Sequence, residues 1–253
     1  MASISPSKSG RVAAALIAGA VAAAGLAWAI RAQRPTLPDD PLQLQILADA
    51  ARRDDALAHL ERLARDGNVA ARRALGLTLI HRALRPAEGL DWLRQAARAG
   101  DTDAAFQLGK LLQGGAPGVP SNPVEAVQWL VPAAQADHPG AAYYLGIARR
   151  NGYGIAPDPA EAARWFAVSA RHNVPAALFM LANAYRAGEG VPRNDAEAVR
   201  LYEAAAEQDH PEALQTLAMA WRNGEMGLPR DDAQAQHYEM ETAHALKHPA
   251  LKP

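Results

Sequence analysis

Leu108, Leu145, Leu181 and Leu217 recur at intervals of 37, 36 and 36 residues, and Leu75 stands 33 residues before the first of them. A period of that length means a repeat array, in which each unit cannot bury its apolar face alone and must stack on the next. Ala71, Ala104, Ala141, Ala177 or Ala213 stands four residues before each leucine. Gly76, Gly109, Gly146, Ala182 or Ala218 follows directly after. Small residues one helical turn apart lie on one face and let a second helix come close. The fullest copy runs from Ala177 to Pro211, and the copies beside it are degenerate versions.

The punctuation of each copy is as regular as its core. Glycine pairs Gly115 and Gly118, Gly152 and Gly154, Gly188 and Gly190, and Gly224 and Gly227 are each followed by Val119, Ile155, Val191 or Leu228. They are expected to end a first helix and turn the chain. Asn122, Asp158, Asn194 and Asp231 come next, with Glu125, Glu161, Glu197 and Gln234 three residues further on. That is the spacing of a capping box, in which the cap oxygen accepts an orphan N–H and the Glu or Gln reaches back. Pro123 and Pro159 suit the first helical position. In the second helix Trp92, Trp129, Trp165, Leu201 and Tyr238 share one register, with Ala96, Ala97, Ala133, Ala134, Ala205 and Ala206 beyond them. This predicts one large residue interlocking with small ones. The helix should close at Gly100, Asp137, Asn173 or Asp209 in a left-handed conformation, before Pro139, Pro175 and Pro211.

The pattern small-x3-Leu-Gly-x2-Tyr-x2-Gly-x-Gly-Val-Pro, then Glu-Ala, then Leu-Tyr-x2-Ala-Ala-Ala resembles the Sel-one-like repeat, a relative of the tetratricopeptide repeat. The resemblance covers Val69 to Pro249. It implies a right-handed α/α solenoid that binds other proteins along a concave groove. The chain departs from the pattern in three places: Arg149 stands where the first helix usually has an aromatic, the turn after Leu84 has no glycines, and the last copy drifts after Gln236. Such atypical units suit the ends of an array.

Upstream, residues 1–11 are polar and precede an uncharged run from Val12 to Ile30. Nineteen residues at about 1.5 Å each span roughly 28 Å, close to a hydrocarbon core of about 30 Å. A single transmembrane anchor is the favoured reading. Ala27-Trp28-Ala29 offers a small-x-small cleavage site, so a removed signal peptide is the alternative. Lys8 and Arg11 on one side balance Arg31 and Arg34 on the other, and the preferred orientation places the repeats in the periplasm of an inner-membrane protein. Secretion to the periplasm is the alternative that goes with cleavage. Residues 31–41, with Pro35, Pro38 and Pro41, make a stiff linker. From there Leu42 to Asp54 and Ala56 to Asp66 read as one further helix pair. The expected architecture is therefore all-α: one N-terminal transmembrane helix, then a solenoid of about five to six helix pairs over residues 42–249, then a tail at 250–253.

The chemistry-bearing residues are sparse. The chain has no cysteine, hence no thiolate metal site or disulfide, and its formal charge of −1 leaves no footprint for nucleic acid. Beyond the apolar run the serines are Ser121, in a loop, and Ser169, at a small-residue packing position. Neither lies in a nucleophile elbow. His138 and His210 recur with the repeat, and His237, His244 and His248 form no recognised metal motif. No cofactor, metal or reaction is implied.

What remains is a surface. Positions two before, two after and five after each framework leucine form one stripe of the first helix. In three central copies these are Phe106, Lys110, Gln113; Tyr143, Ile147, Arg150; and Phe179, Asn183, Arg186. The next copy has Gln215, Met219, Arg222. Stacked repeats would set an aromatic ladder (Phe106, Tyr143, Phe179) beside an arginine ladder (Arg150, Arg186, Arg222), with Lys110 and Asn183 between. Aromatics and arginines dominate binding hot spots. The reading reached is a membrane-anchored, non-enzymatic scaffold whose groove takes a protein or peptide partner, acidic or C-terminal in character, or else an anionic polymer, because guanidinium forks pair with carboxylates and phosphates. The alternatives are a periplasmic enzyme or accessory acting on cell-wall or polysaccharide substrate, and a structural spacer.

Overall fold

The computed structural model describes residues 37–247. The Val12 to Ile30 run lies outside them; among the described residues no helix is long and apolar enough to cross a membrane. Among the described residues twelve helices follow one another: α1 (Pro41–Asp49), α2 (Asp54–Arg65), α3 (Val69–His81), α4 (Pro86–Arg98), α5 (Thr102–Gly114), α6 (Pro123–Gln135), α7 (Pro139–Asn151), α8 (Pro159–Ala170), α9 (Pro175–Ala187), α10 (Asp195–Ala206), α11 (Pro211–Asn223) and α12 (Asp232–Lys247). They pack as six successive antiparallel pairs, each second helix leaning on the first helix of the next pair. Two boundaries differ from the sequence reading. Pro41 opens α1 instead of closing the linker, and α1 stops at Asp49 rather than Asp54, where Arg52 takes a positive φ of 49°.

Within a pair the interlock sits one residue from where the aromatic register placed it. A Cβ added to Gly109 would lie 2.6 Å from Leu130, and one on Gly146 would lie 2.6 Å from Phe166. The plugs are therefore Leu93, Leu130, Phe166 and Tyr202, each at most 2% exposed. Trp92, Trp129 and Trp165 are only half-buried. Their size forbids the closest position, and two of them donate their indole N–H to the glutamate one turn back, Trp92 to Glu88 at 3.2 Å and Trp129 to Glu125 at 3.3 Å. Each buried Leu or Phe contributes about 1.5–3 kcal/mol by leaving water, so four plugs tie the pairs firmly.

The caps are half of the expected box. Asn122, Asp158 and Asn194 accept the N–H of Glu125, Glu161 and Glu197 at 3.2, 3.0 and 3.1 Å. The return bond does not form, because each cap residue's own N–H already donates to the preceding first helix. Asn122 reaches Leu112, Asp158 reaches Arg149 and Asn194 reaches Tyr185, at 2.7–2.9 Å. The glutamates turn outward instead, Glu125 to Arg94 and Glu161 to Arg164. Second helices close as expected: Gly100, Asp137, Asn173 and Asp209 all have positive φ, at 92°, 63°, 55° and 56°. In the glycine-free turn after α3, Ala83 takes the left-handed conformation instead, with φ 51°.

The turn glycines also join neighbouring repeats. A Cβ on Gly154 would stand 2.1 Å from the Pro123 carbonyl oxygen, and one on Gly190 would stand 2.1 Å from that of Pro159. Gly154 and Gly190 thus press on the start of the previous repeat's second helix, in a left-handed backbone of φ 72° and 74°. No residue with a Cβ fits there.

Candidate protein-binding face

At two places in the array neighbouring first helices touch directly. α1 lies against α3 and α5 against α7, whereas no two second helices come into comparable contact. The layer of first helices carries the aromatic and arginine positions.

The aromatics lie in the seams between repeats. Phe106 is 8% exposed and packs on the His138 ring at the start of the next repeat, centroids 4.6 Å apart. Gly140 makes room for it, since a Cβ there would touch the ring at 2.7 Å. Phe179 stacks in the same way on His210 at 4.9 Å and meets Tyr202 at 5.7 Å. Tyr143 is half-buried between Tyr144 and Phe166, and burial pushes its phenol above the usual range. Phe106 is thus an inter-repeat plug, while Tyr143 and Phe179 keep one partly exposed edge on the face.

The histidines underneath are caps, which sequence spacing alone did not reveal. His138 accepts the N–H of Ala141 at Nδ1 at 3.1 Å, and its Nε2 meets Asp103 at 3.1 Å. His210 accepts from Ala213 at 3.4 Å. They stand where Asn68 and Asp101 cap α3 and α5. An imidazole there can cap a helix and also offer a ring for the aromatic of the preceding repeat to stack on.

Lys110 lies over the Phe106 and Tyr144 rings, 5.8 Å from each. Asn183 is tied into the core, since its side-chain oxygen accepts the hydroxyl of fully buried Tyr202 at 2.6 Å. Arg150, Arg186 and Arg222 are all exposed. Arg186 pairs with Glu225 of the next repeat at 3.1 Å, and Arg222 pairs with Glu239 on α12 at 2.7 Å. Exposed pairs of this kind contribute about 0.2–1 kcal/mol. Their bearing on function is larger, because they neutralise two of three rungs and weaken the case for an acidic ligand. Glu189 and Glu225 recur 36 residues apart, a signal that was legible beside the arginines.

The two serines serve the fold. Ser121 donates to the Leu112 and Gln113 carbonyls at the end of α5. Ser169 is fully buried in α8 at a packing position.

Residues 86–101, 102–138, 139–174, 175–210 and 211–238, more than half of the chain, match the profile of the Sel1 repeat. The chain belongs to the Sel1 repeat family. No curated protein matches it. Among solved structures, a Sel1 repeat protein from Oxalobacter formigenes superposes with a TM-score of 0.67 at 22% identity, over 81% of this chain and 85% of that one. A protective antigen of uropathogenic Escherichia coli strains, described as having the SLR fold, gives 0.69 at 30% identity; it is matched over 75% of this chain, which spans only 41% of that protein's length. An immunity protein of Pseudomonas aeruginosa gives 0.55 at 16% identity, over 88% and 87% of the two chains. The first and third of these speak for the fold alone. The Sel1 repeat array is a protein-interaction scaffold fold, and the matched segments cover α4 alone, then the pairs α5/α6, α7/α8 and α9/α10, then α11 with the first part of α12.

Proposed function

We propose that the Sel1 repeats form a scaffold, held at a bacterial inner membrane by residues 12–30, that binds an extended segment of a partner protein along the first-helix face. The observation that carries the reading is the layering. First helices touch directly at α1/α3 and α5/α7 while no two second helices come into comparable contact, and the exposed first-helix positions include Arg150, Arg186, Arg222 and Met219, the last 54% exposed. An exposed methionine beside guanidinium groups supplies both adaptable apolar contact and directed donors. The anchor rests on the length and lack of charge of the Val12 to Ile30 run.

Site-specific photo-crosslinking in intact cells tests this. A photoreactive residue placed at Met219 or Gln113 on first helices should yield a discrete crosslinked product, whereas one at Gln128 or Arg164, exposed on second helices, should not. Products from the second helices alone would refute it.

A further inference from the structure

Among the described first helices, α1 alone has no second helix before it. Each later first helix packs on the second helix of the preceding pair, whereas α1 leans on α2 and α3. Leu44 and Ala48 are fully buried. Helical spacing puts Leu42 and Ile46 one turn apart on the opposite side, where they are 64% and 56% exposed. The nine residues of α1 carry a single charge, Asp49 at the end. A solenoid normally closes with a polar outer face, because no further repeat covers it. At the other end Met240 and Leu246 of α12 are exposed too. Those two stand six residues apart on different sides of the helix, with exposed His237, His244 and Lys247 around them. An uncharged apolar stripe is therefore a feature of the α1 end.

We propose that this face of α1 rests in the headgroup layer of the bilayer, as a shallow apolar contact beside the membrane-held run. The inference rests on the reading of residues 12–30 as an anchor and adds which part of the array meets lipid. Ten residues, 31–40, separate the run from α1. Fully extended they reach about 35 Å, so the stripe stays in the neighbourhood of the bilayer. Two aliphatic side chains fall far short of the ~800 Å² per partner that a stable protein interface buries, which argues against a second copy as their cover. The same small contact suffices on a short tether, where it forms at an effective concentration in the millimolar range. Its strength scales with the apolar area that leaves water. Charge adds little, since from Arg31 to Arg53 four arginines stand against three aspartates, Asp39, Asp40 and Asp49. The contact therefore needs no anionic lipid and is insensitive to salt. Asp39 and Asp40, exposed just before the helix, keep it shallow, because ionised carboxylates stay in water.

The test exploits a chain without cysteine. Leu42→Cys, Ile46→Cys and, on α12, Leu246→Cys each give one attachment point for a nitroxide label. All three positions are exposed, and circular dichroism checks that helicity is kept. The full-length protein is placed in vesicles of phosphatidylcholine alone. Electron paramagnetic resonance then reads how readily each label meets oxygen, which enters lipid, and a nickel chelate, which stays in water. The expected oxygen-to-nickel ratio is several-fold higher at positions 42 and 46 than at 246, and unchanged at high salt. Equal ratios at all three positions, in protein that withstands carbonate extraction from the vesicles, would overturn the contact and leave the anchor standing. Extraction of the protein would overturn both. Spin–spin broadening at position 46 that unlabelled protein relieves would give the face to a second copy. A label shielded from both reagents would give it to another part of the chain. Either result would overturn the contact with lipid.

Discussion

Replacing Gly190 by alanine separates the two demands that the turn makes on its glycine. The backbone there has φ +74°, and an added Cβ would stand 2.1 Å from the Pro159 carbonyl oxygen and 2.6 Å from the Ala160 nitrogen. Left-handed backbone at a non-glycine residue costs about 1–2 kcal/mol. A methyl forced into packed backbone costs about 1–3 kcal/mol more, because two repeats must move apart. Gly227 supplies the control: its φ is +79°, yet a Cβ would meet nothing within 4 Å. Gly227→Ala should therefore lose only the conformational part, whereas Gly190→Ala and Gly154→Ala should each lose about 1–3 kcal/mol beyond it. The assay is urea titration followed by far-UV circular dichroism, with stability extrapolated to water for all three variants. Equal losses for Gly190→Ala and Gly227→Ala would refute the idea that this glycine is a joint between repeats.

Three further outcomes follow from the same structure. Leu181→Ala, at a framework leucine 7% exposed, should cost about 2–5 kcal/mol and lower the melting temperature; an unchanged melt would contradict its assignment to the core. Burial, opposed by the nearby Glu212 carboxylate, holds the His210 imidazole below its ordinary pKa, and the neutral ring is the form that accepts from Ala213. The folded state then binds that proton less readily than the unfolded chain. The stability it confers is complete above about pH 6.5 and is lost as pH falls through that value towards the folded pKa. His210→Asn, which keeps an acceptor as Asn68 does, should flatten the slope of urea midpoint against pH between about 7.5 and 5.5; an unaltered slope would remove His210 as its source. The full-length protein should stay with membranes through alkaline carbonate extraction and keep its N-terminus, whereas a soluble product beginning near Ile30 would show cleavage.

Much of the architecture was legible because repetition repeats its own evidence. Leu75, Leu108, Leu145, Leu181 and Leu217 fixed the period, and the left-handed positions at Asp137, Asn173 and Asp209 could be read one by one from residue type. What escaped was decided between elements. The register of the plug slipped by one residue because the tryptophans look like the largest core side chains, yet their ring nitrogen needs a partner and leaves them at the boundary. The capping box failed on one side because the N–H it would have used reaches the preceding helix, a contact with no local trace. At the candidate face, Phe106 and Arg186 were identified as types but not by partner. Whether the Phe106 ring lies in a groove or a seam depends on the histidine 32 residues further on, and whether the Arg186 guanidinium is available depends on Glu225 in the next repeat.

The reading of the first-helix face as the working surface stands or falls most directly on one comparison. The full-length chain and the triple variant Arg150→Glu, Arg186→Glu, Arg222→Glu are used as bait on the same envelope fraction across a range of salt. All three side chains are exposed and the pairs of Arg186 and Arg222 with glutamates are surface pairs worth about 0.2–1 kcal/mol each, so the variant should keep its helicity, which circular dichroism checks. The expected result is a protein retained by the parent and lost, together with its salt dependence, by the variant. Retention of the same protein by both, with the same response to salt, would make the arginines ordinary surface residues and contradict the assignment of the binding face.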